Sequence, residues 1–175
     1  MKRTILVFGS IAGLIVAAVM LISVGLGSCS NNYSGGMIIG YASMLIAFSF
    51  VFIGIKNFRD KHNNSTITFG KAFTVGILIA LIASTFYVVA WLIDYYCFVP
   101  DFMDKYSEHM IEEAKASGKT AAEIEQQIKD MNRMKEMYKN PLFVILITYC
   151  EILPVGLLVT LVSAAILRKK AVVNM

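Results

Sequence analysis

The residue best placed to do chemistry in this sequence is Glu151, an acid inside an otherwise apolar run that extends from about Leu142 to Leu167. A carboxyl at the middle of a bilayer usually faces the interior of a helix bundle and carries a proton, binds a cation or holds helices together. Pro154 follows three residues later, and because proline has no N–H it leaves the carbonyl of Cys150 without its helical donor. Glu151 and Pro154 are therefore the candidate intramembrane functional residues.

Two roles for Glu151 remain open at this point. In the first role it forms a proton or cation site with the Cys150 carbonyl that Pro154 frees and with hydroxyl groups on other spans. In the second role it is a neutral carboxyl that hydrogen-bonds a neighbouring helix and only stabilises the bundle. The hydroxyl groups available for the first role are those of Tyr41, Ser49, Ser84 and Tyr87.

Two cysteines and one further acid lie at the ends of apolar runs. Cys29 and Cys97 are candidates for a disulfide if both face an oxidising compartment, although spacing alone does not give the distance between them. Leu26–Cys29 also has the pattern of a lipoprotein processing site, which would leave a mature chain beginning at Cys29. Asp94 follows Trp91, and we expect it to be a solvated interfacial acid.

Other residue patterns that support catalysis are missing from the sequence. It has no Gly-rich phosphate loop with lysine, no nucleophile-elbow serine and no zinc spacing among its three cysteines. Its two histidines, His62 and His109, lie far apart along the chain. We therefore expect a protein that is not an enzyme, with no catalytic residue, no cofactor and no metal ligand.

The elements that position these residues follow from composition. Of 175 residues, 57% are apolar and 16% are charged, well below the roughly one quarter charged in soluble domains. Apolar runs occupy about 4–26, 37–55, 73–93 and 142–167, and roughly 20 residues of helix cross the hydrocarbon core. The sequence predicts an all-α fold, an integral membrane bundle of four transmembrane helices forming a single membrane domain over residues 1–175.

Charge predicts the orientation of this bundle. Lys and Arg accumulate on the cytoplasmic side, and they occur at the amino end, in the 56–72 connection and at Arg168–Lys170. The 94–141 segment has ten acidic and seven basic residues, a balance of −3. We expect both termini to be cytoplasmic and the 94–141 segment to lie outside. The net charge of +4 is thus explained without nucleic acid as a partner.

Residues 101–139 of the outer segment predict a helical hairpin inserted within the membrane domain. A helix from about Asp101 to Ala116 is followed by Thr120-Ala121-Ala122-Glu123, which has the pattern of a capping box. An apolar stripe continues along the second helix through Ile124, Ile128, Met131, Met134 and Tyr138. The stripes of the two helices pack together, or one of them binds a partner helix or a second copy of the hairpin.

Three segments resemble a known family. Lys56–Asp60, Ile67–Phe73 and Glu151–Gly156 are similar to the bacterial membrane proteins called domain of unknown function 4199, and the resemblance covers most of the chain. It implies four helices in the inner membrane with a long extracytoplasmic segment before the last. It implies no activity and no site residues.

We therefore expect an inner-membrane protein of unknown activity that is structural or partner-binding, through its helix bundle and outer hairpin. The bilayer is its expected surrounding, with a protein partner or a homo-oligomer as further expectations. The alternatives are a proton- or solute-linked transporter subunit centred on Glu151, and a lipoprotein processed at Cys29.

Overall fold

The computed structural model describes residues 1–27, 33–63 and 65–169, and these residues form helices with no strand among them. Six α-helices occur, and a π-helical turn extends the third at Asp94–Phe98. The α-helices are α1 Lys2–Gly27, α2 Tyr33–His62, α3 Phe69–Ile93, α4 Phe102–Ala116, α5 Ala121–Tyr138 and α6 Pro141–Leu167.

Four of these helices are long and apolar enough to cross a membrane, which confirms the predicted fold class. The candidate spans are Lys2–Ser23, Gly40–His62, Phe69–Phe98 and Pro141–Leu167. The predicted second run ended near Ile55, but α2 continues to His62. Hydropathy detects where the apolar residues stop, whereas Lys56, Arg59 and Lys61 are good helix formers, which is compatible with a helix that continues beyond that point.

The chain divides into two compact units, Met1–Trp91 with Thr148–Met175, and Leu92–Ile147. In the first unit, called here the bundle unit, α3 contacts the other three long helices through small residues. Added Cβ atoms at Gly9 and Gly13 of α1 would lie 2.8 Å and 2.7 Å from the Cβ atoms of Ile82 and Phe86 of α3. Close approach of this kind is the main source of van der Waals attraction between helices in lipid.

The contact between α3 and α6 uses two small-residue stripes that the sequence contains at four-residue spacing. A Cβ at Gly76 would lie 2.8 Å from Thr160 Cγ2, and one at Gly156 would lie 3.1 Å from Ala80 Cβ. The two helices therefore run antiparallel, with Gly76 opposite Thr160 and Ala80 opposite Gly156. This register sets which polar residues of the two helices meet.

One end of the bundle unit is closed by the connection between α2 and α3. Ile67 and Lys169 exchange two backbone hydrogen bonds of 2.9 Å, and Arg59 donates to the carbonyl of Leu167 at 3.3 Å. Lys71 lies over the Phe58 ring, 5.5 Å from its centroid. The bond from Arg59 provides a partner for the Leu167 carbonyl, one of the last carbonyls of α6 that the helix itself leaves free.

The second unit contains α4 and α5 joined by a short turn with Gly118 at φ +73°, and it is called here the outer unit after the orientation that the sequence predicts. Gln127 of α5 donates to the Met110 carbonyl of α4 at 3.1 Å, and Lys135 pairs with Asp104. Thr120 and Glu123 form the capping box that the sequence pattern predicts. The two helices are therefore held together by polar contacts in addition to apolar ones.

Candidate functional site

Glu151 lies on α6 and makes a hydrogen bond to α3. The hydroxyl of Tyr87, a buried residue of α3, donates to Glu151 Oε1 at 3.5 Å. Tyr87 was one of the hydroxyl-bearing residues that the sequence suggested for this role. The antiparallel register explains the contact, because it places the end of α3 beside the first half of α6.

A second polar contact links the same two helices. Thr85 Oγ1 and the Tyr149 hydroxyl are 3.0 Å apart, and Thr85 also donates to the carbonyl of Leu81 at 2.9 Å. Thr85 and Tyr149 lie two residues before Tyr87 and Glu151 along their helices, so α3 and α6 make two separate polar contacts. Sequence reasoning missed this pair, because single hydroxyls in an apolar helix carry no periodic signal.

The position of Glu151 differs from the prediction in one respect. We expected it to face the interior of the bundle, but the residue is exposed on the surface of α6, as are Cys150 and Pro154. A charged residue at mid-span costs about 2.5–3.5 kcal/mol on insertion scales. One long hydrogen bond from Tyr87 uses only part of the bonding capacity of a carboxyl. Glu151 therefore lies at the surface of α6, with Oε1 directed toward Tyr87 of α3.

Two of the buried polar side chains of the bundle unit lack a hydrogen-bond partner among the described residues. Ser84 on α3 and Thr160 on α6 are fully buried, and their hydroxyl oxygens have no hydrogen-bond partner within the described part of the chain. Thr160 turns its methyl group toward Gly76. Of the other hydroxyls suggested as neighbours of the acid, Ser49 bonds to the Ile46 carbonyl of its own helix and Tyr41 is exposed.

Asp94 belongs to the outer unit, and its environment corrects the expectation of a solvated acid. Asp94 is only 3% exposed, and its Oδ2 finds no partner among residues 1–27, 33–63 and 65–169. It begins the π-helical turn, in which its carbonyl accepts from the Val99 N–H at 2.8 Å. Sequence reasoning did not predict this turn. Asp94 follows the buried residues Tyr87 and Trp91 by seven and three positions, which is the spacing of one face of an α-helix.

The remaining candidates are the cysteines. Cys97 is exposed, whereas Cys29 lies outside the described residues, so their pairing stays a prediction. No group of three His, Cys, Asp or Glu side chains gathers as a metal site within the part of the chain that the structure describes.

With this geometry in place, comparison with known proteins supplies the family. A family model described as "Protein of unknown function (DUF4199)" matches residues 7–169, nearly the whole chain. Searches of curated proteins and of solved structures find no match. The chain therefore belongs to the DUF4199 family.

Proposed function

We propose that this DUF4199 protein is a multi-pass protein of the bacterial inner membrane that binds another protein through its outer unit and catalyses no reaction. The observation that carries the proposal is the apolar stripe of α5. No residue of α5 is fully buried, and its stripe residues are all half-buried, namely Ile124, Ile128, Met131, Met134 and Tyr138.

This half-buried stripe suits a binding role on physical grounds. α4 buries Met103 and Ala114, whereas α5 leaves part of each apolar side chain uncovered. Methionine side chains are flexible and polarizable, so that they adapt to a partner surface. An amphipathic helix with an uncovered apolar stripe is a recurring means of binding a protein.

The proposed orientation has both ends of this chain in the cytoplasm and the outer unit on the other side. Support comes from basic residues that lie together at one end of the bundle unit. Arg59 donates to the carbonyl of Leu167, Lys71 donates to Asn63, and Lys169 exchanges backbone hydrogen bonds with Ile67. Lysine and arginine in short connections are retained on the cytoplasmic side.

Site-specific photo-crosslinking in living cells tests the binding role. A photoreactive amino acid at Met131 lies on the stripe, and the same amino acid at Lys129 lies on the opposite face of α5, since two residues turn a helix by about 200°. We expect one discrete adduct with a single identified protein from position 131 and none from position 129. Equal labelling from both positions, or no adduct from position 131, would contradict the proposal.

A transport role is the second candidate, and the contact between Tyr87 and Glu151 is the observation that favours it. A carboxyl hydrogen-bonded to a tyrosine hydroxyl is a plausible point of proton exchange within a membrane. The test is proton uptake by sealed vesicles containing the wild-type protein or Glu151→Gln. Flux that is absent from the wild type, or unchanged in the variant, would remove this candidate.

Processing at Cys29 is a separate alternative, and its residue lies outside the described ranges. The preceding helix α1 is 26 residues long, whereas the apolar part of a signal peptide has about 7–15. The intact mass of the chain extracted from membranes distinguishes the two forms. We expect a mass that includes residues 1–28, and a lipidated chain beginning at Cys29 would require the alternative.

A further inference from the structure

The outward face of α6 carries a regular ridge of exposed side chains. Every fourth residue along this helix is exposed, from its first turn to its last: Leu142, Leu146, Cys150, Pro154, Leu158, Val162 and Ile166. Ridges at four-residue spacing are the surfaces through which helices most commonly pack against each other. The ridge is narrowest at its centre, where Cys150 and Pro154 replace the larger aliphatic residues.

The centre of the ridge is also its polar point. Glu151 is exposed beside Cys150, and the missing N–H of Pro154 leaves the Cys150 carbonyl without its helical donor. The Glu151 carboxyl has one long hydrogen bond, from Tyr87, and the Cys150 carbonyl lacks its helical donor. Both groups are costly to leave in hydrocarbon, where no water is present to bind them. These two groups therefore distinguish this face from an ordinary lipid-facing surface.

The chemistry of the carboxyl indicates what covers the face. A basic partner group is not available at this depth from the chain itself, because the described spans carry Lys and Arg only at their ends. An uncharged carboxyl, in contrast, has one donor and one acceptor, so that two of them complete each other's hydrogen bonds. In hydrocarbon the uncharged form is also the less costly one.

Membrane insertion adds a geometric argument. Two copies inserted with the same orientation are related by a two-fold axis along the membrane normal, and each residue then lies at the same depth as its counterpart. Glu151 of one copy would meet Glu151 of the other, and Cys150 would lie near its equivalent. We propose that two copies of this chain associate through the α6 ridge, with the two Glu151 carboxyls hydrogen-bonded to each other at the crossing point.

This inference is independent of the protein partner proposed for α5, because it concerns a different helix. The native Cys150 tests it directly in membranes. In a variant with Cys29→Ala and Cys97→Ala, mild oxidation should produce a reductant-sensitive species of twice the 19.4 kDa chain mass. The matched control removes Cys150 as well and adds Leu14→Cys, which is 59% exposed near the middle of α1. We expect no dimer from this control.

The role of the carboxyl is tested by dimer fraction in liposomes, measured from single-molecule photobleaching at fixed protein density. Glu151→Leu, which suits lipid and preserves the helix, should weaken association about tenfold. Glu151→Gln has an amide that both donates and accepts, and it should retain most of the association.

Three results would overturn the proposal. The first is cross-linking through Cys150 no faster than through Leu14→Cys. The second is an unchanged dimer fraction in Glu151→Leu. The third is a Cys150 adduct with a different protein in place of the dimer. None of these results changes the photo-crosslinking expected at Met131. Failure of the dimer proposal is therefore distinguishable from failure of the proposed binding role.

Discussion

At the scale of single residues, the bundle unit depends on positions where a side chain is missing. Gly13 lies against Phe86, and a Cβ placed there would be 2.7 Å from both Cβ and Cγ of that ring. These atoms are close to the α3 backbone and have little freedom to move. The absence of a methyl group at this position thus sets how closely α1 approaches α3.

Substitution of Gly13 by alanine tests this contact. Gly40→Ala is the matched control, because an added Cβ at Gly40 of α2 meets no atom of the described side chains within 4 Å. Alanine favours both helices by up to about 1 kcal/mol, whereas overpacking costs about 1–3 kcal/mol at Gly13 only. We expect the free energy of unfolding in mixed micelles to be lower for Gly13→Ala than for Gly40→Ala by about 1–3 kcal/mol. Equal values for the two variants would show that α1 does not pack this closely.

At the scale of elements, the beginning of α5 is defined by reciprocal hydrogen bonds. The backbone N–H and the hydroxyl of Thr120 each donate to the Glu123 carboxylate at 2.8 Å, and the Glu123 N–H donates back to the Thr120 hydroxyl at 3.4 Å. These bonds from Thr120 hold the pKa of Glu123 below its ordinary value of 4.5, and the bond from the Thr120 N–H has the larger effect. The helix start is therefore linked to the ionisation of one carboxyl.

This linkage gives a pH dependence of known sign. A carboxyl whose pKa is lower in the folded state stabilises that state fully above its unfolded pKa of about 4.5, and the contribution is lost as pH falls through the lowered value. We expect amide hydrogen exchange at Glu123 and Ile124, whose N–H groups bond to Thr120, to speed up as pH falls below 4.5 after correction for intrinsic rates.

Removal of the cap should have a related effect at neutral pH. Thr120→Ala should speed exchange at the same amides about fivefold, because the first turn loses its side-chain acceptor. Gln126→Ala, an exposed position further along α5, is the control and should leave the first turn unchanged. Protection that is the same in Thr120→Ala as in the wild type would contradict the role of the capping box.

The helical elements also show what a sequence pattern determines. The four spans and the α5 cap follow from local signals, namely apolar length and the Thr120–Glu123 spacing, and the structure has both. The direction of Glu151 could not be predicted, because α6 is apolar all round and periodicity does not identify its inner face. Asp94 continues the α-helical spacing of the buried residues Tyr87 and Trp91, but an acid at the end of a span gives no sequence signal of burial, and neither does the π-helical turn that begins there.

At the scale of the whole molecule, the proposed orientation depends on an even number of membrane crossings. Four long apolar helices place the α2–α3 connection and the outer unit on opposite sides if each helix crosses once. The proposed orientation has the outer unit outside the cytoplasm, so the sidedness of two positions distinguishes this arrangement from its inverse.

The most direct test is therefore the accessibility of two engineered cysteines in a background without Cys29, Cys97 and Cys150. Glu112→Cys is on an exposed part of α4, and Lys61→Cys is on the exposed end of α2. A membrane-impermeant maleimide applied to intact spheroplasts should label Glu112→Cys at once and Lys61→Cys only after the membrane is permeabilised. Labelling of Lys61→Cys in intact spheroplasts, or protection of Glu112→Cys until permeabilisation, would contradict the four-crossing arrangement or its orientation.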